Sequence, residues 1–342
     1  MRQMDKKRSV GILATGSYTP ERVLSNFDLE KMVETTDEWI VSRTGIRERR
    51  ICSPEQASSD LAYEAAKKAL ERANISAEQL DMIIVATVTP DMMFPSTACI
   101  LQEKLGAKRA AALDVSAACT GFLYGITTAA QFIANGLYKY VLVVGVETLS
   151  KITNYKDRNT CVLFGDGAGA AVIGEVREGF GFQSFELGAD GAGGELLCLP
   201  AGGSRIPASS ETVEKNLHYL SMAGSEVFKF AVRVMNSATE AVLSKAGVDR
   251  ENIDLLVPHQ ANKRIIDSAV QRFGLSEDKV VINLDRYGNM SSASIPVALD
   301  EAIAAGRVKE GDNVILVGFG GGLTWGATLL KWSTTPAEGS GQ

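Results

Sequence analysis

The sequence is poor in histidine and proline, with two and nine in 342 residues, and its five cysteines never form a C-x-x-C pair. Cys52, Cys99, Cys119, Cys161 and Cys198 are odd in number and widely spaced. That argues against a disulfide framework and against a zinc site, so no metal is expected. A reducing cytoplasm is the setting such cysteine usage implies. Nine prolines beside 33 glycines do not make a Pro-rich linker protein. No apolar run reaches the roughly 18 residues that span a bilayer, so no membrane insertion is expected. The opening MRQMDKKRSVGILATG lacks the sustained apolar stretch of a signal peptide. Positive charge is not in excess: the net charge is −6, which argues against general nucleic-acid binding.

What is present is an ordinary globular composition, 45% hydrophobic and 22% charged. The length is too great for one simple core and implies two halves. SDLAYEAAKKALERANI predicts a helix with Ser59 or Asp60 as its N-cap. LDMIIVATVTP predicts a buried strand, STACILQEKLGA a helix closed by Gly106, and AALDVSA a short strand. TGFLYGITTAAQFIANGL reads as a helix and KYVLVVGVETLS as a strongly apolar strand. This alternation predicts an α/β protein with buried, partly parallel sheets.

The second half repeats the order. LDMIIVATVTP matches IDLLVPHQAN, YVLVVGVETLS matches NVILVGFGGG, and GDGAGAAVI matches GLTWGATLL. VVINLDRYGNMSSASIPVALDEAIAAGRV reads as strand, turn and helix. An internal duplication accounts for these pairs, with the halves divided as residues 1–178 and 179–342. Cys119 and Asn289 then occupy corresponding strand-to-helix turns, and His259 follows a strand as TVTPD does in the first half. If the halves pack about a pseudo-twofold axis, these three residues converge at their interface, where α/β folds favour ligand sites.

Each residue has a plainer reading. A free cysteine is among the most buried residue types. Asn beside Gly favours turns. A histidine after a strand is commonly structural, and the second one, His218, sits in the looser segment EKNLHYLSMAG. At a helix N-terminus, however, Cys119 faces the positive end of the helix dipole, which favours a thiolate. Its small neighbours Ala117, Ala118 and Gly121 leave room for a substrate chain. GFGGGLTWG is not a phosphate loop, because a strand-like segment follows it rather than a helix.

The stretches DEWIVSRTGIRERR, FPSTAC, SAACTGF, LFGDGAGAAV, GSEVFK, PHQANKRII, YGNMSSASIP and GFGGGLTWG together resemble β-ketoacyl-[acyl-carrier-protein] synthase III, of the thiolase superfamily, over nearly the whole chain. The resemblance implies a thiolase-like fold of duplicated α-β-α-β-α halves and a homodimer. It implies a catalytic triad of Cys119, His259 and Asn289. Its substrates would be an acyl-CoA and malonyl-acyl-carrier protein. No cofactor is implied, since CoA enters as part of a thioester substrate. Backbone N–H groups of Cys119 and Gly321 would form the oxyanion hole. Trp39, Arg43, Arg158, Gly224 and Asn262 would hold CoA, with Trp39 and Arg158 on opposite faces of the adenine. Phe94, Leu220 and Phe319 would bound the acyl pocket, Phe94 reaching in from the partner subunit. Lys229, Lys263, Arg264 and Arg272 would steer the acidic carrier protein.

Three other readings remain at this stage. One is a related condensing enzyme of secondary metabolism with another primer or acceptor. Another is a noncatalytic acyl-binding subunit, which would have no need of Cys, His and Asn together. The last is a cysteine hydrolase, in which the His and Asn pairing would be superfluous. The primer itself is not legible, because no motif reads out pocket volume.

Overall fold

In a computed structural model that describes residues 8–337, most strands form two sheets. The first holds β1 (Val10–Tyr18), β2 (Met82–Ala86), β3 (Ala111–Val115), β4 (Val141–Thr148) and β5 (Asp166–Glu175), in the order β1-β5-β4-β2-β3. The second holds β6 (Gly181–Ala189), β7 (Leu255–Pro258), β8 (Asn313–Gly320) and β9 (Thr324–Lys331), in the order β6-β9-β8-β7. The sheets have the same plan. β4 lies parallel to β2 and antiparallel to β5, as β8 lies parallel to β7 and antiparallel to β9. Each segment pair matched in the sequence occupies the same place in its sheet. The chain passes from one sheet to the other between Glu175 and Gly181.

The longer helices are α1 (Asp37–Thr44), α2 (Ser58–Ala73), α3 (Thr97–Leu105), α4 (Gly121–Ala134), α5 (Gly224–Ala246), α6 (Lys263–Phe273) and α7 (Ser294–Ala304). α4 and α7 lie between the sheets. Phe122 and Ile126 of α4 and Ile295 and Leu299 of α7 share one core with Ile84 and Val143 of the first sheet and Val257 and Leu316 of the second. A helix apolar on nearly every side has to be covered on both faces. α2 is apolar on one stripe only, Leu61, Ala62, Ala65, Ala66, Ala69 and Leu70, and packs on the outer face of the first sheet. α5 does the same on the second with Val227, Phe230, Val234 and Val242. Each fully buried large side chain in these layers contributes about 1.5–3 kcal/mol.

Two local expectations change. α2 begins at Ser58, so Asp60 is inside the first turn, where its carboxylate accepts the Ala57 amide, and Ser59 bonds Asp91. The strand expected at VVIN shrinks to an isolated bridge between Leu256 and Val280. The Gln260 side chain takes the groups a longer ladder would use: its Nε2 donates to the Val281 carbonyl and its Oε1 accepts from the Asn283 amide.

Candidate active site

Cys119 lies in a short 3-10 turn, Ala118–Thr120, that leads into α4. The matching turn of the other half, Ser291–Ala293, leads into α7. Ala118 and Ser291 both have left-handed backbones, at φ 46° and 44°. Such conformations are unfavourable for residues with a Cβ and gather at functional sites. The same bend recurs in both halves, and both bends meet the edge of one cavity.

That cavity, of about 330 Å³, is lined by Cys119, Ser291 and Gly321 and by the apolar side chains of Leu149, Ile152, Phe164, Leu197 and Leu220. Gly320, the last residue of β8, lets the Cys119 turn approach closely: a Cβ there would sit 2.6 Å from the Cys119 amide nitrogen. Gly320→Ala is expected to displace Cys119, destabilise the fold by about 1–3 kcal/mol and slow acyl transfer. Thermal melting and the rate of acyl labelling check this; an unchanged rate would show that the close approach is not needed.

His259 follows β7, and its amide donates to the Val317 carbonyl of β8. Its ring is buried edge-on to Phe319, with centroids 5.4 Å apart. Phe319, His259 and Asn289 are not among the residues lining that cavity, whereas Cys119 and Leu220 are. β8 ties the histidine to the cysteine. A Cβ on Gly318 would lie 3.3 Å from His259 Cβ, and one on Gly320 would lie 3.1 Å from Cys119 Cβ. Residues two apart on a strand share a face, so the two side chains pack against one side of β8.

Neither ring nitrogen of His259 has a hydrogen-bond partner among the described residues. A buried, unpaired polar group costs about 1–3 kcal/mol, and a function is the usual reason to carry one. Burial holds the imidazole neutral, with its pKa down to about 3. Asn289 is fixed by its backbone, which donates to the Leu163 carbonyl and accepts from the Gly165 amide. Its Oδ1 accepts from the Ser291 amide at 2.8 Å, which leaves Nδ2 as the donor end of the side chain.

The cysteine departs from expectation. Burial, with the carboxylate of Glu147 nearby, pushes the Cys119 thiol up to about 12. Glu147 and Ser291 escaped the sequence reading. The one available signal for Glu147 was a charge at the end of the apolar strand YVLVVGVETLS.

Of the other expected contact residues, Trp39, Arg43, Arg158 and Asn262 lie together. The guanidinium of Arg158 lies over the Trp39 indole at 4.8 Å, and that of Arg43 at 5.7 Å. Asn262 caps α6: its Oδ1 accepts the Arg264 amide while its Nδ2 donates to the Arg43 carbonyl. Gly224 opens α5 and is exposed. Phe94 is 84% and its neighbour Met93 77% exposed, an apolar tip pointing away from this subunit. Lys229 pairs with Glu226, Lys263 with Asp267 and Arg272 with Glu240. Arg264 has no carboxylate partner among the described residues and lies over the Phe228 ring at 5.3 Å.

Comparison with known proteins decides the family. Family models for 3-oxoacyl-[acyl-carrier-protein (ACP)] synthase III and for its C-terminal part match residues 113–191 and 243–332. A β-ketoacyl-[acyl-carrier-protein] synthase III of Desulfitobacterium hafniense (strain Y51) is 63% identical over 325 residues, 95% of this chain and 98% of its own. The chain belongs to the β-ketoacyl-[acyl-carrier-protein] synthase III family. A second member, from Caldanaerobacter subterraneus subsp. tengcongensis, is also 63% identical, over 96% of this chain and 100% of its own. The solved synthase III of Thermus thermophilus superposes with a TM-score of 0.88 at 51% identity, over 95% of this chain and 100% of that one. The duplicated architecture is thus the thiolase-like fold, and the protein is an acyltransferase, the condensing enzyme that initiates fatty acid synthesis. No helix among the described residues is long and apolar enough to cross a membrane. Nor do they hold a group of three or more His, Cys, Asp or Glu able to bind a metal.

Proposed function

We propose that the enzyme joins an acyl-CoA primer to malonyl-acyl-carrier protein, carrying the acyl group on Cys119 between two half-reactions. The observation that supports this most is the apolar cavity with Cys119 in its wall. The Cys119 sulfur attacks the thioester and CoA leaves, so that one hard condensation becomes two easier steps. The amides of Cys119 and Gly321 hold the oxyanion of the tetrahedral intermediate. Malonyl-acyl-carrier protein then loses carbon dioxide. The enolate oxygen is held by His259, neutral and without an internal partner, and by the Asn289 amide. Its carbanion attacks the acyl-Cys119 carbonyl and releases a 3-ketoacyl-acyl-carrier protein.

CoA enters past Trp39, and its adenine takes the place beside the indole that Arg158 covers. Entry therefore requires Arg158 to lift from a 4.8 Å contact. The exposed Phe94 tip suits a second copy of the chain, as a homodimer would supply. Among the basic residues, Arg264 is the strongest anchor for the carrier protein, because the other three face their own carboxylates.

The test follows labelled acetyl-, isobutyryl- and isovaleryl-CoA through both steps. Acyl label on the protein, followed by 3-ketoacyl product once malonyl-acyl-carrier protein is added, is the expected result. Free acid alone would identify a hydrolase. Product formation should also weaken as salt rises above ~0.15 M, since exposed charges are then screened. Insensitivity to salt would remove the steering role of Arg264.

A further inference from the structure

Arg49 is a charged side chain with no exposure at all, and the reaction as described makes no use of it. It lies in a two-stranded ribbon of Val23–Ser25 and Glu48–Arg50, opposite Leu24. Its Nη1 donates to the Leu24 carbonyl and to Asn26 Oδ1, each at 3.0 Å, and its Nη2 donates to the Val162 carbonyl at 2.7 Å. None of these acceptors is a carboxylate. Glu48, its neighbour in the chain, pairs with Arg50 instead. Burial draws the guanidinium pKa down to about 10, so the group is still charged near neutrality. An apolar side chain of similar volume would fill the space without burying a charge. What the guanidinium adds is direction, because it is a rigid planar fork whose donors suit fixed acceptors.

Val162 is one residue ahead of the stretch that carries Asn289. The Asn289 amide donates to the Leu163 carbonyl at 2.8 Å, and the Asn289 carbonyl accepts from the Gly165 amide at 3.0 Å. These two bonds form a short parallel bridge between Phe164 and Asn289. The stem of Arg49 fills the space beside it. A Cβ on Gly165 would lie 3.0 Å from Arg49 Cβ, and one on Gly288 would lie 3.3 Å from it. Glycine at both positions lets the two sides of the bridge close on Arg49. The Arg47 amide adds a second tie, donating to the Asp285 carbonyl at 3.0 Å. Asn26 anchors the guanidinium from the other side: its Nδ2 donates to the Ile46 carbonyl at 2.7 Å and to Asp37 Oδ1 at 2.9 Å. Since Oδ1 of Asn289 is held by the Ser291 amide, the place of the bridge decides where Nδ2 stands.

We propose that Arg49 is a positioning residue for the condensation step, fixing through Val162 and the Phe164–Asn289 bridge the place where Asn289 Nδ2 meets the enolate oxygen. This rests on Asn289 holding that oxygen. The bond to Val162 is the stiff link, because a charge-assisted hydrogen bond is about twice as strong as a neutral one. A group displaced by ~1 Å from its working place can cost on the order of a hundredfold in rate. Cys119 stands on the turn before α4, and Gly321 follows β8. None of the three Arg49 bonds reaches those elements, so the amides that serve acylation are set independently.

The experiment is a cycle of Arg49→Lys and Asn289→Ala, read in single turnovers of pre-acylated enzyme with malonyl-acyl-carrier protein. Starting from the acyl-enzyme removes CoA entry and acylation from the rate. Lysine keeps the charge but not the fork. Arg49→Lys should lower the rate by about ten- to a hundredfold when Asn289 is present. In Asn289→Ala it should lower the rate by less than about twofold, because the group it positions is gone. Equal losses in the two backgrounds would overturn the proposal, since a general loosening of the fold acts on both alike. So would an unchanged rate in Arg49→Lys. If Arg49→Lys does not fold, Asn26→Ala, which removes one acceptor that orients the guanidinium, carries the same cycle with the same outcomes. Undiminished condensation in Asn289→Ala alone is a separate result, which would remove the enolate role of Asn289 itself.

Discussion

Cys119→Ala is expected to abolish acyl transfer, lowering the rate by about a thousandfold or more, because the covalent step loses its nucleophile. The measurement is incorporation of label from acyl-CoA, with the modified peptide identified by mass. The location matters because Cys198 lines the same cavity. Cys198 is not at a helix N-terminus, and its sulfur is hydrogen-bonded to the Glu195 carbonyl at 3.8 Å. It should take no label in the variant. Label on Cys198 in the wild type, or survival of transfer in Cys119→Ala, would overturn the assignment. The substitution itself is mild, since alanine fits wherever the buried cysteine does, so loss of activity with an unchanged melting temperature isolates the chemistry.

His259→Ala is expected to separate the half-reactions. Acylation of Cys119 should continue, and condensation with malonyl-acyl-carrier protein should fall by about a hundred- to a thousandfold, the usual loss when one oxyanion donor is removed. Asn289→Ala should behave similarly, with an added structural cost because Oδ1 also holds the Ser291 amide. The pH dependence follows from the depressed pKa of His259. The neutral form, which donates to the enolate, persists down to about pH 3. Condensation should thus show no loss as pH falls through the ordinary histidine value near 6.5. Stability should respond differently. The folded state disfavours the protonated imidazole and the unfolded state accepts it, so stability present above pH 6.5 is lost as pH falls toward about 3. His259→Gln should flatten that part of a melting-temperature profile. A condensation rate that drops about tenfold per unit below pH 6.5 would mean that the ring is solvated and titrates normally.

The strand pattern was legible because a buried strand is written locally. YVLVVGVETLS and NVILVGFGGG read as strands, and their shared place in two like sheets follows from the repeat. Gln260 shows the limit of such reading. The run VVIN looks like a strand, yet a side chain 21 and 23 residues upstream of its two partners occupies its backbone groups. Phe319 shows a related limit. Strand alternation settles which residues share a face but not what stands opposite, and here His259 does.

Sequence alone was enough to read the α/β class and the repeated strand order and to nominate Cys119, His259 and Asn289, because each is encoded in short-range patterns and their repetition. Tertiary structure decided the state of those residues. A helix N-terminus is visible in SAACTGF, and it points toward a thiolate; the desolvation and the Glu147 carboxylate that raise the thiol pKa come from chain segments far away. Ser291 and Glu147 are 144 residues apart in the chain and bonded in the fold. Protonation depends on burial and on neighbours across space, and neither quantity exists until the two halves have packed together.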